Sequence, residues 1–202
     1  MEDVEPATIT EPADWLLGSN ADWWDLVRYG PPGFDTYVRI ALNPDPPGME
    51  PAGEAPGLRL ALDVLAGHTS TPEVAYAAIW EGWTSMHPLP SAPRVHIPNR
   101  EMLLFTGPVS ALRDAPGVAW GYADTYQEPH LVWPEDRTWC VACEVDEEIE
   151  FTVGCSGDAA QALTDALPDA VRLVAYGEAA PLYRAPSYGE VAHQPIRALS
   201  GM

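Results

Sequence analysis

Residues 128–155 read EPHLVWPEDRTWCVACEVDEEIEFTVGC, and this stretch decides the fold of the chain. The segments 130–133, 138–145 and 150–153 are rich in β-branched and aromatic residues, which favour strands. A Pro-Glu-Asp turn separates the first two segments, and an acidic turn separates the second from the third. The stretch therefore predicts paired strands at the centre of a small sheet.

The rest of the chain adds strands and helices that do not alternate as regular βαβ units. Alternating or continuous apolar runs predict further strands at 34–42, 74–80 and 102–105. Capping residues and helical leucine spacing predict short helices at 22–28, 58–66, 108–113 and 158–167, whereas 171–176 fits a strand or a continuing helix. This pattern predicts an α+β fold with a mainly antiparallel sheet of about five to six strands and two to four short helices.

The composition divides the chain into three parts. Residues 1–19 are acidic and are expected to be frayed, and residues 177–202 form a proline-broken tail that we expect to be irregular. Between them, residues 20–176 are predicted to form a single α+β domain, because 202 residues suffice for one domain. A Pro/Gly-rich insertion at 43–57 interrupts this domain.

The charge of the chain is strongly negative and unevenly distributed. The net charge is −20, with ten arginines and no lysine. Residues 1–25 hold seven acids and no base, and residues 135–150 hold seven acids beside Arg137. Nucleic acid and anionic membrane surfaces would repel such a chain, so we expect neither as a partner. The sharper hypothesis is that a negative face attracts a basic protein partner, and the simpler one is a solvated acidic surface.

The sequence carries no recognisable targeting or membrane segment. The N-terminus is acidic and lacks the apolar core of a secretory signal, and no apolar run approaches the roughly 20 residues of a membrane helix. Three cysteines do not form a closed disulfide framework. We therefore expect a cytoplasmic protein.

The Trp139-Cys140-Val141-Ala142-Cys143 segment superficially resembles a redox motif. Redox cysteines of that kind need a helix N-terminus, whereas a β-rich run places Cys140 and Cys143 on opposite faces. The same geometry argues against a zinc site made by these two cysteines with His130 and Cys155, because no turn lies between the paired cysteines. We expect packing cysteines, no metal and no cofactor.

Five motifs recur in an order that is similar to a family of uncharacterised actinobacterial proteins. They are YGPPGF (29–34), HTSTPE (68–73), LLFTGPV (103–109), WPEDRTWCVACEVD (133–146) and a following glycine-serine turn. The family reads approximately W-W-P-E-D-R-A-W-C-V-A-T-E-[IV]-D in the fourth motif. The resemblance covers about residues 26–157, and this chain departs from it at Cys143 and in residues 147–155. The family has no established activity, so the resemblance implies a grouping and no function.

The best candidate polar site lies in the turn between the first two central strands. A ligand or partner would contact Trp133 and Trp139, while Arg137 and a carboxylate of Glu135 or Asp136 would fix its polar groups. The alternative is a structural turn in which Arg137 neutralises a neighbouring carboxylate and both tryptophans lie in the core. His68 and His96 lie in loops, and nothing pairs them with a nucleophile.

No catalytic signature is complete, and we assign no catalytic residue. Ser156 lies between two glycines, but Asp158 breaks the G-x-S-x-G pattern, so we predict that this serine caps a helix. The leading hypothesis is a non-catalytic protein-binding domain with an acidic, tryptophan-bearing face, similar to immunity or antitoxin proteins. The alternatives are an enzyme or small-molecule sensor that uses residues 133–139, and an inhibitor whose carboxylates mimic DNA phosphates.

Overall fold

The computed structural model describes residues 4–43, 56–82, 91–113 and 129–183. Within these ranges it contains nine strands and five α-helices. The strands are β1 (Glu5–Pro6), β2 (Thr36–Ala41), β3 (Ala75–Trp80), β4 (Arg94–Ile97), β5 (Arg100–Gly107), β6 (Leu131–Pro134), β7 (Cys140–Ala142), β8 (Glu150–Cys155) and β9 (Val171–Val174). The helices are α1 (Asp14–Leu17), α2 (Trp23–Tyr29), α3 (Pro56–Leu65), α4 (Val109–Leu112) and α5 (Gly157–Ala166). Short 3-10 turns at Glu11–Ala13 and Ala66–His68 complete the described elements.

All nine strands belong to one antiparallel sheet in the order β1-β5-β3-β6-β7-β8-β2-β9, and β4 also pairs with β5. The predicted α+β class with a mainly antiparallel sheet is therefore confirmed. The sheet is larger than the five to six strands expected, and the five helices exceed the two to four expected. The segment 171–176, for which two structures were possible, supplies the edge strand β9.

The sequence prediction missed the two strands that extend the sheet beyond β5. His96 was expected to lie in a loop, yet it belongs to β4. Val95 and Ile97 are buried while Arg94 and His96 are exposed, as in a half-buried strand. Asn99 has a φ of 66°, and the Pro98-Asn99 pair makes a two-residue connection to β5. Proline followed by a left-handed asparagine is typical of a type II turn, and that signal could have revealed β4.

The expectation of a frayed segment at residues 1–19 is wrong for residues 4–19. Glu5 and Pro6 pair with β5, and Ala13 and Leu16 are fully buried. Both side chains belong to the core cluster on the α1 and α2 face of the sheet. Full burial of a leucine side chain contributes about 1.5–3 kcal/mol. Val4 and Ala7 are buried as well, whereas the acidic residues Glu5, Glu11 and Asp14 are exposed, so the segment is amphipathic despite its charge.

Helices cover both faces of the sheet and divide the core into two clusters. The first cluster packs α3, α4 and α5 against one face and includes Trp139, Val141 and Phe151. The second packs α1 and α2 against the other face and includes Trp133, Cys140 and Ala142. The sheet is therefore buried on both sides, which explains why its central strands are apolar almost throughout.

Two parts of the predicted organisation fall largely outside the described residues. In the Pro/Gly-rich insertion, residues 44–55 lie outside them, while Pro56 and Gly57 begin α3. In the predicted tail, residues 184–202 lie outside them. Residues 177–183 form no helix or strand, but Glu148 N donates a hydrogen bond of 3.0 Å to the carbonyl of Leu182.

Gly30 ends α2 with a φ of 72°, and a Cβ at this position would lie 3.1 Å from Cys140 Sγ. We expect Gly30→Ala to lower the free energy of unfolding by about 2 kcal/mol, because alanine rarely adopts a φ of 72° with a ψ of −168°. Such a backbone conformation costs roughly 1–3 kcal/mol, and the contact is crowded. Gly157→Ala is the control, since nothing lies within 4 Å of its Cβ. Urea denaturation measures both. Equal stability of the two variants would contradict the expectation.

Candidate functional site

The WPEDRTW motif forms a tight turn between β6 and β7. Arg137 N donates a hydrogen bond of 3.0 Å to the carbonyl of Pro134, and Arg137 has a φ of 59°. A left-handed conformation is uncommon for a residue with a Cβ and costs about 1–2 kcal/mol. The turn therefore holds Arg137 in a strained conformation at an exposed position.

The two tryptophans of the motif are buried on opposite faces of the sheet. Trp133 is 1% exposed and Trp139 is 0% exposed. The strand register pairs Val132 with Val141, which sets Trp133 opposite Cys140 and turns Trp139 to the other face. The expectation of an exposed tryptophan-bearing face is wrong for this pair, and neither indole is available to stack on a ligand.

The acidic run at 135–150 is also less exposed than its composition suggests. Glu144 and Glu147 are buried, and Glu144 Oε1 accepts a hydrogen bond of 3.0 Å from Arg100 Nε. Glu147 pairs with Arg28 and Arg39. Glu135, Asp146 and Glu148 remain exposed. Ion pairs with arginines of the same chain therefore neutralise part of the negative charge that was expected to form a partner-binding face.

Asp136 anchors the turn to the loop that precedes β3. Its carboxylate accepts hydrogen bonds from Thr69 Oγ1 at 2.8 Å, from the backbone N–H and hydroxyl of Ser70 at 2.6 and 2.7 Å, and from Thr138 Oγ1 at 2.9 Å. Burial tends to raise the pKa of Asp136, but these hydrogen bonds outweigh it and lower the pKa to about 2. The HTSTPE and WPEDRTW motifs are thus joined by one ionised carboxylate, which is a structural role.

We expect Asp136→Asn to lower the free energy of unfolding by about 1–2 kcal/mol at neutral pH, because the amide presents hydrogens to these donors. The pKa of Asp136 is lower in the folded state than the ordinary value of 3.8. The stabilisation is therefore complete above about pH 4 and is lost as the pH falls towards 2. Urea denaturation between neutral and acidic pH should show the difference from wild type shrinking in acid. The neighbouring exposed Glu135→Gln should show no such loss, and an equal loss would contradict the assignment.

Arg137 is not held by a carboxylate of its own turn, so the alternative in which it neutralises a neighbouring carboxylate is wrong. No described carboxylate lies within ion-pair distance of its guanidinium. Asp136 is directed to hydroxyl and backbone donors, and Glu144 pairs with Arg100. The Cζ of Arg137 instead lies 5.6 Å from the ring centroid of Trp15. This cation–π contact leaves the hydrogen-bond donors of the guanidinium available.

Arg137 lines a surface cleft with a volume of about 350 Å³. Three chain segments and Trp15 meet there: the end of the YGPPGF motif, the WPEDRTW turn, and the glycine-serine turn after β8. The lining residues are Trp15, Pro32, Gly33, Phe34, Asp35, Arg137, Thr138, Cys155 and Ser156. The volume lies within the range of small-molecule sites, about 300–1,000 Å³.

The cleft combines aromatic surface with a few polar groups. Trp15 and Phe34 meet edge to face with ring centroids 6.4 Å apart. Ser156 Oγ accepts a hydrogen bond of 3.2 Å from Ala159 N, so it caps α5 as predicted. Burial raises the pKa of the Cys155 thiol to about 12, so this cysteine is neutral near pH 7 and a poor nucleophile. The described lining residues thus offer aromatic rings and a guanidinium that can bind a ligand, and among them there is no activated nucleophile.

The three histidines in the described part of the chain do not line this cleft. Burial, assisted by the nearby Arg100, lowers the pKa of His130 to about 3, and its Nδ1 accepts a hydrogen bond of 3.0 Å from Trp80 N. His130 is therefore a neutral core residue. His96 contacts Glu101 on the β4–β5 hairpin, and His68 ends the 3-10 turn after α3. None of the three lines the cleft.

The cysteines occupy the positions that the strand geometry predicted. None of the three forms a disulfide, and Cys140 lies in the cluster beneath α2 whereas Cys143 lies in the cluster beneath α3. Across the described ranges, no group of three or more histidine, cysteine or acidic side chains could hold a metal ion. No helix in those ranges is long and apolar enough to cross a membrane.

Comparisons of the chain with protein-family models, curated proteins and solved structures give no match. The resemblance to the actinobacterial family therefore stays a prediction. Of the five residues proposed from sequence, the cleft includes Arg137 alone. Sequence reasoning missed Trp15, whose side chain supports Arg137, because it lies in the segment that was expected to fray.

Proposed function

We propose that this protein binds a small molecule that carries an anionic group and an apolar or aromatic part. The carrying observation is Arg137 at the wall of the 350 Å³ cleft, stacked on Trp15 and without a carboxylate partner among the described residues. A planar guanidinium suits bidentate binding of a carboxylate or phosphate. The rings of Trp15 and Phe34 supply a surface for the rest of the ligand.

The state of Arg137 is unusual within this acidic chain. Six other arginines form ion pairs, namely Arg28, Arg39, Arg94, Arg100, Arg113 and Arg172. Carboxylates are abundant, since the net charge is −20. Arg137 pairs with none of the described carboxylates, and its backbone conformation, with a φ of 59°, is energetically unfavourable. A role for the guanidinium in binding an anionic ligand would explain why the turn keeps this unfavourable conformation.

The convergence of distant segments supports the same proposal. Three motifs identified in the sequence supply lining residues, and a fourth, HTSTPE, binds Asp136 and so fixes the turn that carries Arg137. Sites of this kind are held rigid by hydrogen bonds behind the contacting residues. The neutral thiol of Cys155 and the capping role of Ser156 favour binding over nucleophilic catalysis.

Arg137→Gly tests the proposal without disturbing the turn, because glycine readily adopts the left-handed conformation that Arg137 occupies. Suitable probes are indole-3-acetate and phenyl phosphate, with indole and phenol as uncharged controls. We expect calorimetry to show binding of the charged probes to wild type and a loss of about tenfold or more in affinity for Arg137→Gly, or about 1.4 kcal/mol. Equal binding of charged and uncharged probes, or unchanged affinity in the variant, would contradict the proposal.

A second candidate function, binding of a basic protein, is favoured by the charge of the chain. The net charge is −20, and Glu11, Asp14, Asp35 and Glu135 are among the exposed carboxylates. Opposite charge accelerates association and selects partners. Complexes with basic proteins encoded beside its gene should weaken as salt increases, and light scattering at low and high salt measures this. A partner whose binding is indifferent to salt would argue against an electrostatic role.

A further inference from the structure

One edge of the sheet is open within the described part of the chain. β9 pairs with β2 and with no other described strand. Its Leu173 is 72% exposed, the largest value among the exposed large hydrophobic residues of the described ranges. The cross-strand partner of Leu173 is Val38, which is fully buried beneath α5. The helical layer therefore covers β2 and leaves the apolar side chain of the edge strand uncovered.

A groove runs between this edge strand and α5. Its volume is about 400 Å³, and its lining includes Ala160 and Thr164 of the helix with Val171 and Leu173 of the strand. Unpaired backbone groups along an edge strand can hydrogen-bond to an added strand. The groove next to them would receive the side chains of that strand that point towards the helix.

The rim of the groove is acidic. Gln161 lines the groove, and Asp158 and Asp165 lie three residues before and four residues after it on the same side of α5. Asp169 lies in the connection that leads into β9, and all three carboxylates are exposed. The arginine of the edge strand, Arg172, is engaged by Glu150 and Glu178. The groove thus presents apolar surface bordered by negative charge.

We propose that the β9 edge and its groove bind an extended segment of a basic protein, which adds to the sheet as a further strand. The segment would place apolar side chains against Leu173 and Thr164 and basic side chains beyond them, where they reach the carboxylates of α5. This inference rests on the second candidate function and is independent of the Arg137 cleft. A second copy of this chain fits less well, because two chains of charge −20 repel each other.

The probe is a fluorescent synthetic peptide of alternating valine and threonine with a pair of arginines at each end. Two control peptides have proline in place of threonine, which removes backbone donors, or glutamate in place of arginine. Fluorescence anisotropy should show that the first peptide binds full-length protein and that the controls do not. Leu173→Thr should weaken binding about fivefold or more. Asp165→Asn should weaken it and reduce its dependence on salt.

Ile9→Thr and Glu5→Gln are the matched variants, because both residues are exposed and lie in or just after β1, at the opposite end of the strand order from β9. These variants should bind the peptide like wild type. If binding depends on salt but Leu173→Thr leaves it unchanged, the groove is not the binding site, and the proposal of a basic protein partner is unaffected. Absence of any peptide binding, or a Leu173-dependent dimer in sedimentation, would overturn the proposed occupant.

Discussion

Arg39→Met is expected to lower the free energy of unfolding by about 3–5 kcal/mol, the usual cost of removing one partner from a buried ion pair. Arg39 lies on β2 and is 0% exposed. Its Nε donates a hydrogen bond of 2.9 Å to Glu150 Oε2, and its Nη2 contacts Glu147. Methionine fills much of the volume of the arginine side chain, so the lost stability is due chiefly to removal of the positive charge and its hydrogen bonds.

The size of this effect follows from the network around Arg39. Arg28 of α2 lies 3.2 Å from Glu147, and Arg172 of β9 lies 2.9 Å from Glu150. The network therefore links a helix and three strands, and its members Arg28, Arg39 and Glu147 are buried. Burial raises the pKa of Glu147 even though Arg39 and Arg28 lower it. Without Arg39 that pKa should rise further, so the deficit of Arg39→Met should shrink as the pH falls and Glu147 takes up a proton.

Arg94→Met is the matched control for Arg39→Met. Arg94 also forms an ion pair, at 2.7 Å from Glu81, but its side chain is 49% exposed. Exposed pairs contribute about 0–1 kcal/mol, so this variant should differ little from wild type. Chemical denaturation across a range of pH measures both variants. If they lose equal stability, or if the deficit of Arg39→Met is independent of pH, the buried network does not have the role described.

The central sheet was predictable because its signal is local. The strands Leu131–Pro134, Cys140–Ala142 and Glu150–Cys155 are mostly apolar runs separated by turn residues, and their pairing follows from short connections. β1 lacked such a signal, since two residues in an acidic segment carry no periodicity. Its pairing with β5 depends on contacts about one hundred residues apart in the chain. Such tertiary pairing overrides local propensity, and one sequence does not display it.

The candidate site shows the same division between local and distant information. The turn at Pro134–Arg137 was predictable from its residue types, as was the alternative in which both tryptophans are buried. The neighbour of Arg137 was not, because Trp15 lies in a different layer of the fold and far away in sequence. Charge neutralisation within the turn was the natural inference. The structure instead directs Asp136 to hydroxyl groups and gives the arginine an aromatic neighbour.

Trp139→Ala is expected to lower the free energy of unfolding by about 3–5 kcal/mol, as for other large-to-small changes in a packed core. Trp139 is fully buried, and its Nε1 donates a hydrogen bond of 3.0 Å to the carbonyl of Leu65. Leu65 ends α3 and is also the N-cap of the 3-10 turn Ala66–His68, so this hydrogen bond lies at the junction of the two. The indole therefore fills the core beneath α3 and fixes the position of that junction. Urea denaturation measures the loss.

Trp139→Phe separates the hydrogen bond from the packing, since it keeps an aromatic ring and removes the indole N–H that donates to the Leu65 carbonyl. We expect this variant to lose about 1–3 kcal/mol. Trp23→Ala, at a partly buried residue of α2, is the control and should lose less than Trp139→Ala. Both Trp139 variants should bind the charged probes of the Arg137 cleft as wild type does, at temperatures where they remain folded. Weakened probe binding by folded Trp139→Phe would instead show that Trp139 contributes to ligand binding, as its sequence motif first suggested.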